Sequence, residues 1–126
     1  MGKIRCECEH VIVDQTDNLS YKGYILPDQL IDEDLTKLVN RIDSLFNAIQ
    51  SNEKEEWLAE NFLPDYPKKL DLSSIISDII SVDLLAKTKD IFECENCGRI
   101  LIEKKDRSFK IYKPEGENDK GILKLD

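Results

Sequence analysis

Apolar residues in the middle of the chain recur at helical spacing. Between residues 28 and 50 they return every three or four positions, which places them on one face of a helix. That face comprises Ile31, Leu35, Leu38, Val39, Ile42, Leu45, Phe46 and Ile49. Polar residues fill most of the remaining positions, and Asp28 is a suitable N-cap. The pattern predicts an amphipathic helix that packs this face on a core.

Two shorter helices are predicted after it. The second starts near Asn52, where Asn52 and Glu55 resemble a capping box, and Pro64 ends it. The third runs from about Asp71 to Ala86. Its apolar face comprises Leu72, Ile75, Ile76, Ile79 and Ile80. The β-branched residues weaken helix propensity, but the period of about 3.6 residues favours a helix.

Both ends of the chain carry short segments of high strand propensity around four cysteines. The predicted strands are residues 3–5, 10–13, 21–26, 90–93, 99–103 and 108–112, with a polar loop over 115–119. Strands at both ends with helices between them indicate an α+β fold in a single domain over residues 1–126. Residues 1–27 and 88–126 are predicted to form a zinc-ribbon-like antiparallel β-module. Residues 28–87 are a three-helix insertion expected to pack on it.

The candidate chemistry lies in two cysteine pairs, each between two predicted strands. The first is Cys6-Glu7-Cys8, and the second is Cys94-Glu95-Asn96-Cys97. A tight turn can aim two thiolates at one point, and two facing turns supply the four tetrahedral ligands that zinc prefers. We predict that Cys6, Cys8, Cys94 and Cys97 bind one structural Zn²⁺.

The spacing of the pairs and the residues after them bear on this site. The pairs are separated by 85 residues (94 − 8 − 1), far more than in a usual zinc finger. A helical insertion with nearby ends accounts for that distance. Gly98 can adopt the positive φ of such a turn without steric cost, whereas Glu9 stands where a glycine would be easier.

Other assignments of the cysteines stay open at this point. Cys94 and Cys97 could form a redox dithiol, although the βαβ context of such sites is missing. The four thiols could instead be ordinary buried residues, or they could bind iron in a rubredoxin-like site. His10, the single histidine, could replace Cys8 and give a Cys₃His set.

No catalytic set is predicted. A zinc ion with four thiolate ligands has no open position for water or substrate. The single histidine, His10, abuts the cysteine motif, and the sequence contains no glycine-rich phosphate loop. Most carboxylates are expected on solvated helix faces. We therefore expect a protein that is not an enzyme.

Composition narrows the class of partner and the compartment. Of 126 residues, 40% are hydrophobic and 35% are charged, as in globular domains, and the formal net charge is -8. Such an acidic chain is a poor general binder of nucleic acid and suits a basic protein better. The sequence contains no apolar stretch of about 20 residues and no secretory h-region. We expect a cytoplasmic protein, and the reducing cytoplasm favours metal binding over disulfides.

Both ends of the chain also share motifs with known proteins. The motifs are Cys6-Glu7-Cys8-Glu9, Asp14-Gln15-Thr16-Asp17-Asn18-Leu19, Tyr24-Ile25-Leu26-Pro27-Asp28-Gln29, Cys94-Glu95-Asn96-Cys97-Gly98-Arg99-Ile100 and the tail Gly121-Ile122-Leu123. They resemble a group of small bacterial zinc-ribbon proteins that begin with Cys-x-Cys-Gly and close with Cys-x-x-Cys-Gly-Arg. Glu9 departs from this pattern, and the helices are not part of it. The resemblance implies a zinc-bound, non-catalytic fold similar to immunity proteins, the cytoplasmic antidotes encoded beside secreted bacterial toxins.

Two classes of function follow. The first is an acidic immunity protein that neutralises a basic toxin by protein–protein contact. The second is a zinc-ribbon nucleic-acid-binding or transcription-accessory module, in which Phe109 and Tyr112 stack on bases. Its basic residues would be Arg99, Lys104, Lys105, Arg107, Lys110 and Lys113. We favour the first class. In that interpretation the hairpin of strands 99–103 and 108–112 is solvated, and its aromatic residues pack on the third helix.

Overall fold

The computed structural model describes residues 2–116 and 120–125, so residues 117–119 of the predicted polar loop lie outside the described residues. The fold is α+β, as predicted, with three α-helices and two antiparallel sheets. The chain divides into two compact units. The β-unit contains the two chain ends, up to Ile25 and from Lys89, and the helical unit is Leu26–Thr88. The single domain over residues 1–126 stays a prediction.

The β-unit contains six short strands, and all six predicted strands are confirmed. β1 (Lys3–Arg5) and β2 (Val11–Val13) form a hairpin. The second sheet has the order β3-β4-β5-β6, all antiparallel, with β3 Lys22–Ile25, β4 Lys89–Glu93, β5 Ile100–Glu103 and β6 Phe109–Tyr112. Apolar β-branched and aromatic residues dominate these strands, as sheet propensity requires.

The register of this sheet explains the long gap between the cysteine pairs. β3 pairs directly with β4, and Ile25 lies opposite Lys89. Residues 26–88 therefore leave and re-enter the β-unit at two adjacent strand ends. A long insertion at such a point keeps the sheet intact, because its two ends are already held together by the ladder.

Two of the cysteines belong to the core of the β-unit. Its buried residues are Cys6, Ile12, Phe92, Cys94 and Leu101, each at most 2% exposed. Phe109 contacts Phe92 edge to face, with ring centroids 5.7 Å apart. The environment of the cysteines is therefore the central packing of this unit, where a change of one group is felt by its neighbours.

The helical unit contains the three predicted helices, α1 (Asp28–Gln50), α2 (Lys54–Asn61) and α3 (Leu72–Asp83), followed by a 3₁₀ turn at Leu85–Lys87. Its buried apolar core comprises Leu38, Leu45, Ala48, Trp57, Leu58, Ile75 and Ile79. The single tryptophan, Trp57, donates its Nε1–H to Ser44 Oγ at 2.8 Å. A polar partner of this kind is what a buried indole needs. Among the described residues, no helix is both long and apolar enough to cross a membrane.

The expected caps of α1 and α2 are wrong. α1 begins one residue earlier than an Asp28 cap implies, with Pro27 as its N-cap, and α2 begins at Lys54 without a side-chain cap. Asn52 has a φ of 58°, in the left-handed region, directly after the C-cap of α1. Asparagine tolerates this conformation at helix ends. Asn52 therefore terminates α1 instead of starting α2.

The apolar face of α1 is only partly covered. Leu38 and Leu45 are buried, and Ile42 and Ile49 pack against the core as predicted. Leu35, Val39 and Phe46 belong to the same predicted face but are exposed. For these three residues the expected packing is wrong, because the buried arc of the helix is narrower than its apolar arc.

Two carboxylates of the helices, Asp34 and Asp83, are buried although such residues were expected on solvated helix faces, and Glu93 of β4 is buried as well; all three are at most 3% exposed. Asp34 Oδ1 accepts a hydrogen bond from Lys87 Nζ at 2.6 Å, and Asp83 Oδ1 accepts one from Arg41 Nη1 at 2.6 Å. Both pairs lie within the helical unit and tie α1 to the end of the insertion. In the β-unit, Glu93 Oε2 accepts the backbone N–H of Gly121 at 2.7 Å. Buried carboxylates need such partners.

Candidate metal centre

Each cysteine pair lies in a tight turn at the end of a strand, and the two turns have the same design. In the first, Cys6 N–H donates to His10 O at 2.9 Å and Cys6 O accepts from Glu9 N–H at 3.0 Å. In the second, Cys94 N–H donates to Arg99 O and Cys94 O accepts from Gly98 N–H, both at 2.8 Å. The second turn is one residue longer than the first, because its cysteines are separated by two residues instead of one.

The residue after each pair has a left-handed backbone. Gly98 and Glu9 both have a φ of 78°. This confirms the expected role of Gly98, for which the conformation carries no steric penalty. Glu9 adopts the same conformation despite its Cβ, at a cost of about 1 kcal/mol. The departure from glycine at Glu9 therefore strains the first turn without changing its shape.

The four thiols converge on one point. Cys6 Sγ lies 3.6 Å from Cys97 Sγ, and Cys8 Sγ lies 3.5 Å from Cys94 Sγ. All four sulfurs lie within 4.8 Å of one another. Sulfurs at tetrahedral corners about 2.3 Å from a zinc ion are about 3.8 Å apart, whereas a disulfide has a length of about 2.05 Å. The spacing fits a shared metal ion, and all four cysteines are free thiols.

This arrangement bears on the other assignments of the cysteines. The contacts at 3.5 and 3.6 Å join one turn to the other, as a shared ligand set requires, whereas a redox dithiol needs only Cys94 and Cys97. His10 is half-buried and lies outside the group of four ligand atoms. Its contribution to the turn is its backbone carbonyl, which accepts the Cys6 N–H. The geometry therefore favours four sulfur ligands over a Cys₃His set.

Two of the thiols accept hydrogen bonds from neighbouring side chains. Asn96 Nδ2 donates to Cys8 Sγ at 3.3 Å, and this bond is the main reason that the pKa of Cys8 is lowered to about 6. Burial raises the pKa of Cys97, but donors from Arg99, including Nη1 at 3.3 Å, outweigh it and lower this pKa overall. Both half-buried thiols are therefore predisposed to ionise.

The other two thiols have the opposite tendency. Burial raises the pKa of Cys94 to about 12 and also raises the pKa of Cys6. A thiol in such a position ionises when a cation binds to it, because the metal supplies the compensating charge. Two half-buried thiols with lowered pKa and two buried thiols with raised pKa thus form a set that a divalent cation would complete.

Sequence reasoning placed Asn96 and Arg99 in the motif but assigned them no part in the site. Both are donors to sulfur, and Arg99 also lies 4.0 Å from a Glu7 carboxylate oxygen. Four thiolates with one divalent cation carry a net charge of about −2, so nearby donors lower the energy of the assembly. A polar residue inside a Cys-x-x-Cys turn and a cation just after it were the available signals.

Comparison with known proteins identifies a family but no activity. The chain matches no curated protein and no solved structure. Residues 2–116 match a family described only as a domain of unknown function, and this match covers both cysteine pairs and the helices between them. The chain belongs to that family, Domain of unknown function (DUF8617).

Proposed function

We propose that Cys6, Cys8, Cys94 and Cys97 bind one structural Zn²⁺, and that the chain is a non-catalytic immunity protein. In this proposal the protein resides in the bacterial cytoplasm and neutralises a toxin by protein–protein contact. The observation that carries the proposal is the closed set of four thiols, two of them in the core of the β-unit and two packed against it. Four sulfur ligands leave no coordination position for a substrate, so the ion would act as a structural support.

The energetic scale supports a structural role for the metal. Structural zinc contributes about 10–16 kcal/mol of apparent binding energy in small zinc-finger peptides at neutral pH. Whole domains are stable by only about 5–15 kcal/mol. The ion would also join Cys8 to Cys94 across 85 residues (94 − 8 − 1), and closing such a loop in a flexible chain costs about 4 kcal/mol. The free energy of binding the ion is thus large enough to decide whether the β-unit folds.

Matched variants test the ligand assignment. Cys97→Ser removes one proposed ligand, and we expect it to lose zinc and the fold of the β-unit. His10→Ala changes a neighbouring side chain outside the sulfur group, and we expect it to retain one zinc ion per chain. Metal analysis of the purified proteins distinguishes them. Loss of the ion in His10→Ala, or retention of it in Cys97→Ser, would contradict the assignment.

Charge supports a basic protein as the partner. The formal net charge of -8 is large for a chain of 126 residues, and acidic and basic surfaces associate faster through electrostatic steering. Nuclease toxins are commonly basic, since they bind phosphate backbones. An acidic protein that covers such a surface would block it without any chemistry of its own.

The basic residues of the C-terminal strands give less support to nucleic-acid binding than the sequence suggested. Arg99 contacts Cys97, and Phe109 packs on Phe92 in the β-unit, so its ring is not free to stack on a base. Tyr112 remains 48% exposed, with Lys110 Nζ at 5.7 Å from its ring. If this face binds nucleic acid, random oligonucleotides will bind with an affinity that falls steeply with salt. We expect no such binding.

Co-expression with the product of the neighbouring reading frame tests the immunity function. We expect the neighbouring product to be toxic alone and harmless together with this chain. We also expect the two purified proteins to elute as one complex. An acidic protein of equal charge and unrelated fold serves as control, because it separates specific neutralisation from simple electrostatic binding. Equal killing with and without this chain would refute the proposal.

A further inference from the structure

Helix α1 carries an exposed apolar surface that the core of the helical unit does not cover. Leu35, Val39 and Phe46, here called the α1 stripe, are 42%, 61% and 53% exposed. At about 100° per residue, all three project within about 40° of one another. The stripe extends over 11 residues, a length of about 16 Å. Three large apolar side chains on one exposed face mark a surface that other molecules can contact.

Carboxylates border this stripe along one side and at its N-terminal end. Asp28, Asp32 and Asp43 are exposed. Asp32 and Asp43 lie three or four positions from a stripe residue, which makes them its neighbours on the helix surface. Asp28 lies on the same face as the stripe, two helical turns before Leu35. Within the described part of the chain, none of the three takes part in an ion pair. Their charges are therefore available to a partner.

The two cations of α1 lie elsewhere. Arg41 is held by Asp83, with 2.6 Å between Nη1 and Oδ1. Lys37 follows Leu35 by two positions and so projects about 200° away from it around the helix. Along α1, the stripe is thus apolar in its centre and has carboxylates, and no cation, beside it. A complementary surface has apolar residues in its centre and Lys or Arg beside them.

We propose that the α1 stripe is the docking site for an amphipathic helix of a basic protein, whose Lys and Arg side chains pair with Asp28, Asp32 and Asp43. The proposal rests on the proposed function, because it names the surface with which the chain would hold its basic partner. An apolar strip of about three helical turns matches the anchor spacing of a helix bound in a groove or on a helix face.

A second copy of the chain fits this surface less well. Two α1 stripes in contact would bring six aspartates to one interface, and neither copy has an α1 cation beside its stripe. Each copy also carries a net charge of -8. Burying unpaired carboxylates between two such chains is unfavourable, so charge selects a basic partner.

The binding test uses the full-length, metal-loaded chain and a synthetic helical peptide. The peptide has leucines at positions i, i+4, i+7 and i+11 and lysines beside them, and a second peptide has glutamates in place of the lysines. We expect the lysine peptide to bind, with affinity that falls as salt is raised, and the glutamate peptide to bind at least tenfold more weakly. Equal binding of both peptides would overturn the charge assignment.

Substitutions in the stripe locate the site. We expect the double variant Val39→Ser/Phe46→Ser to weaken binding of the lysine peptide at least tenfold, since exposed aromatic anchors dominate such contacts. Serine has a helix propensity close to those of valine and phenylalanine, so the helix should be retained. Val82→Ser is the matched control, because Val82 is 54% exposed on α3 and lies outside the stripe. We expect this variant to bind the lysine peptide as tightly as the wild type does. Wild-type affinity in the double variant would overturn the proposal.

Two further measurements separate this surface from the proposed function. If the chain neutralises the neighbouring gene product and Val39→Ser/Phe46→Ser neutralises it equally well, the docking site is wrong and the immunity function stands. If the lysine peptide binds at the stripe but no neutralisation occurs, the docking site stands and the immunity function is wrong. Sedimentation tests the second copy. A dimer of the wild-type chain that dissociates in the double variant would overturn the proposal.

Discussion

The ion pair between Arg41 and Asp83 predicts how the helical unit responds to loss of a single charge. Arg41 Nη1 lies 2.6 Å from Asp83 Oδ1. The side chain of Asp83 is 1% exposed and that of Arg41 is 17% exposed. Replacing Arg41 by methionine keeps much of the apolar stem but leaves a buried carboxylate without a counter-ion. Charge centres about 4 Å apart attract by about 4 kcal/mol at an effective dielectric constant of about 20. Removing one partner of a buried ion pair lowers the free energy of unfolding by about 3–5 kcal/mol in other proteins, and we expect a loss of this size for Arg41→Met.

The reciprocal variant should be milder. In Asp83→Leu the remaining guanidinium is partly exposed and still donates to Asn61 O at 3.3 Å, so we expect a loss of about 1–2 kcal/mol. The double variant Arg41→Met/Asp83→Leu removes both charges, and its stability should lie within about 1 kcal/mol of the wild type. The two single effects are then strongly non-additive, as expected for residues in direct contact.

Urea denaturation followed by Trp57 fluorescence measures these effects, because the single tryptophan lies in the buried core of the helical unit. If the variants alter stability alone, the urea concentration at the midpoint shifts, while the slope of the unfolding free energy against urea concentration stays constant. The reasoning is refuted if Arg41→Met costs less than about 1 kcal/mol, or if the two single effects simply add in the double variant.

Two further predictions concern the two cysteine turns and a half-buried phenol. Gly98→Ala introduces a Cβ at a φ of 78° and should destabilise the metal-loaded β-unit by about 1 kcal/mol. Glu9→Gly relieves the same backbone strain in the first turn and should be close to neutral in stability. Thermal denaturation compares the two variants with the wild type. Burial and a hydrogen bond to Asp78 raise the pKa of Tyr66 to about 12. The folded chain then holds this proton longer than the unfolded chain does, so stability is present below pH of about 10 and falls as the pH rises through about 12. An ultraviolet titration should show one late tyrosinate that is absent in Tyr66→Phe.

Local sequence patterns predict the elements of this fold well. The strand segments around the cysteines alternate or concentrate β-branched and aromatic residues, and the helices repeat their apolar residues at helical spacing, so both periods identify the backbone. The Cys-x-Cys and Cys-x-x-Cys turns also predict the convergence of the four thiols, because the strands on either side hold each pair in a fixed orientation.

Interactions between distant positions are what the sequence does not reveal. Asp34 looks like a favourable charge near the N-terminus of α1, yet it is buried and pairs with Lys87, 53 positions away. Helical spacing also placed Leu35, Val39 and Phe46 on the core face, but only tertiary packing decides how wide the covered arc is. Asn52 terminates one helix and could equally have started the next, since the same residue type serves both ends.

Hydrogen exchange on protein of known metal content, before and after chelation, tests the central claim most directly. We expect one zinc ion and no iron per chain, and protection of β3 to β6 that is lost when the ion is removed. The buried core of the helical unit contains no cysteine, so we expect protection in α1 and the emission of Trp57 to persist. A chain that is purified without metal and retains full protection of β3 to β6 would contradict the claim that a structural metal ion holds the β-unit together.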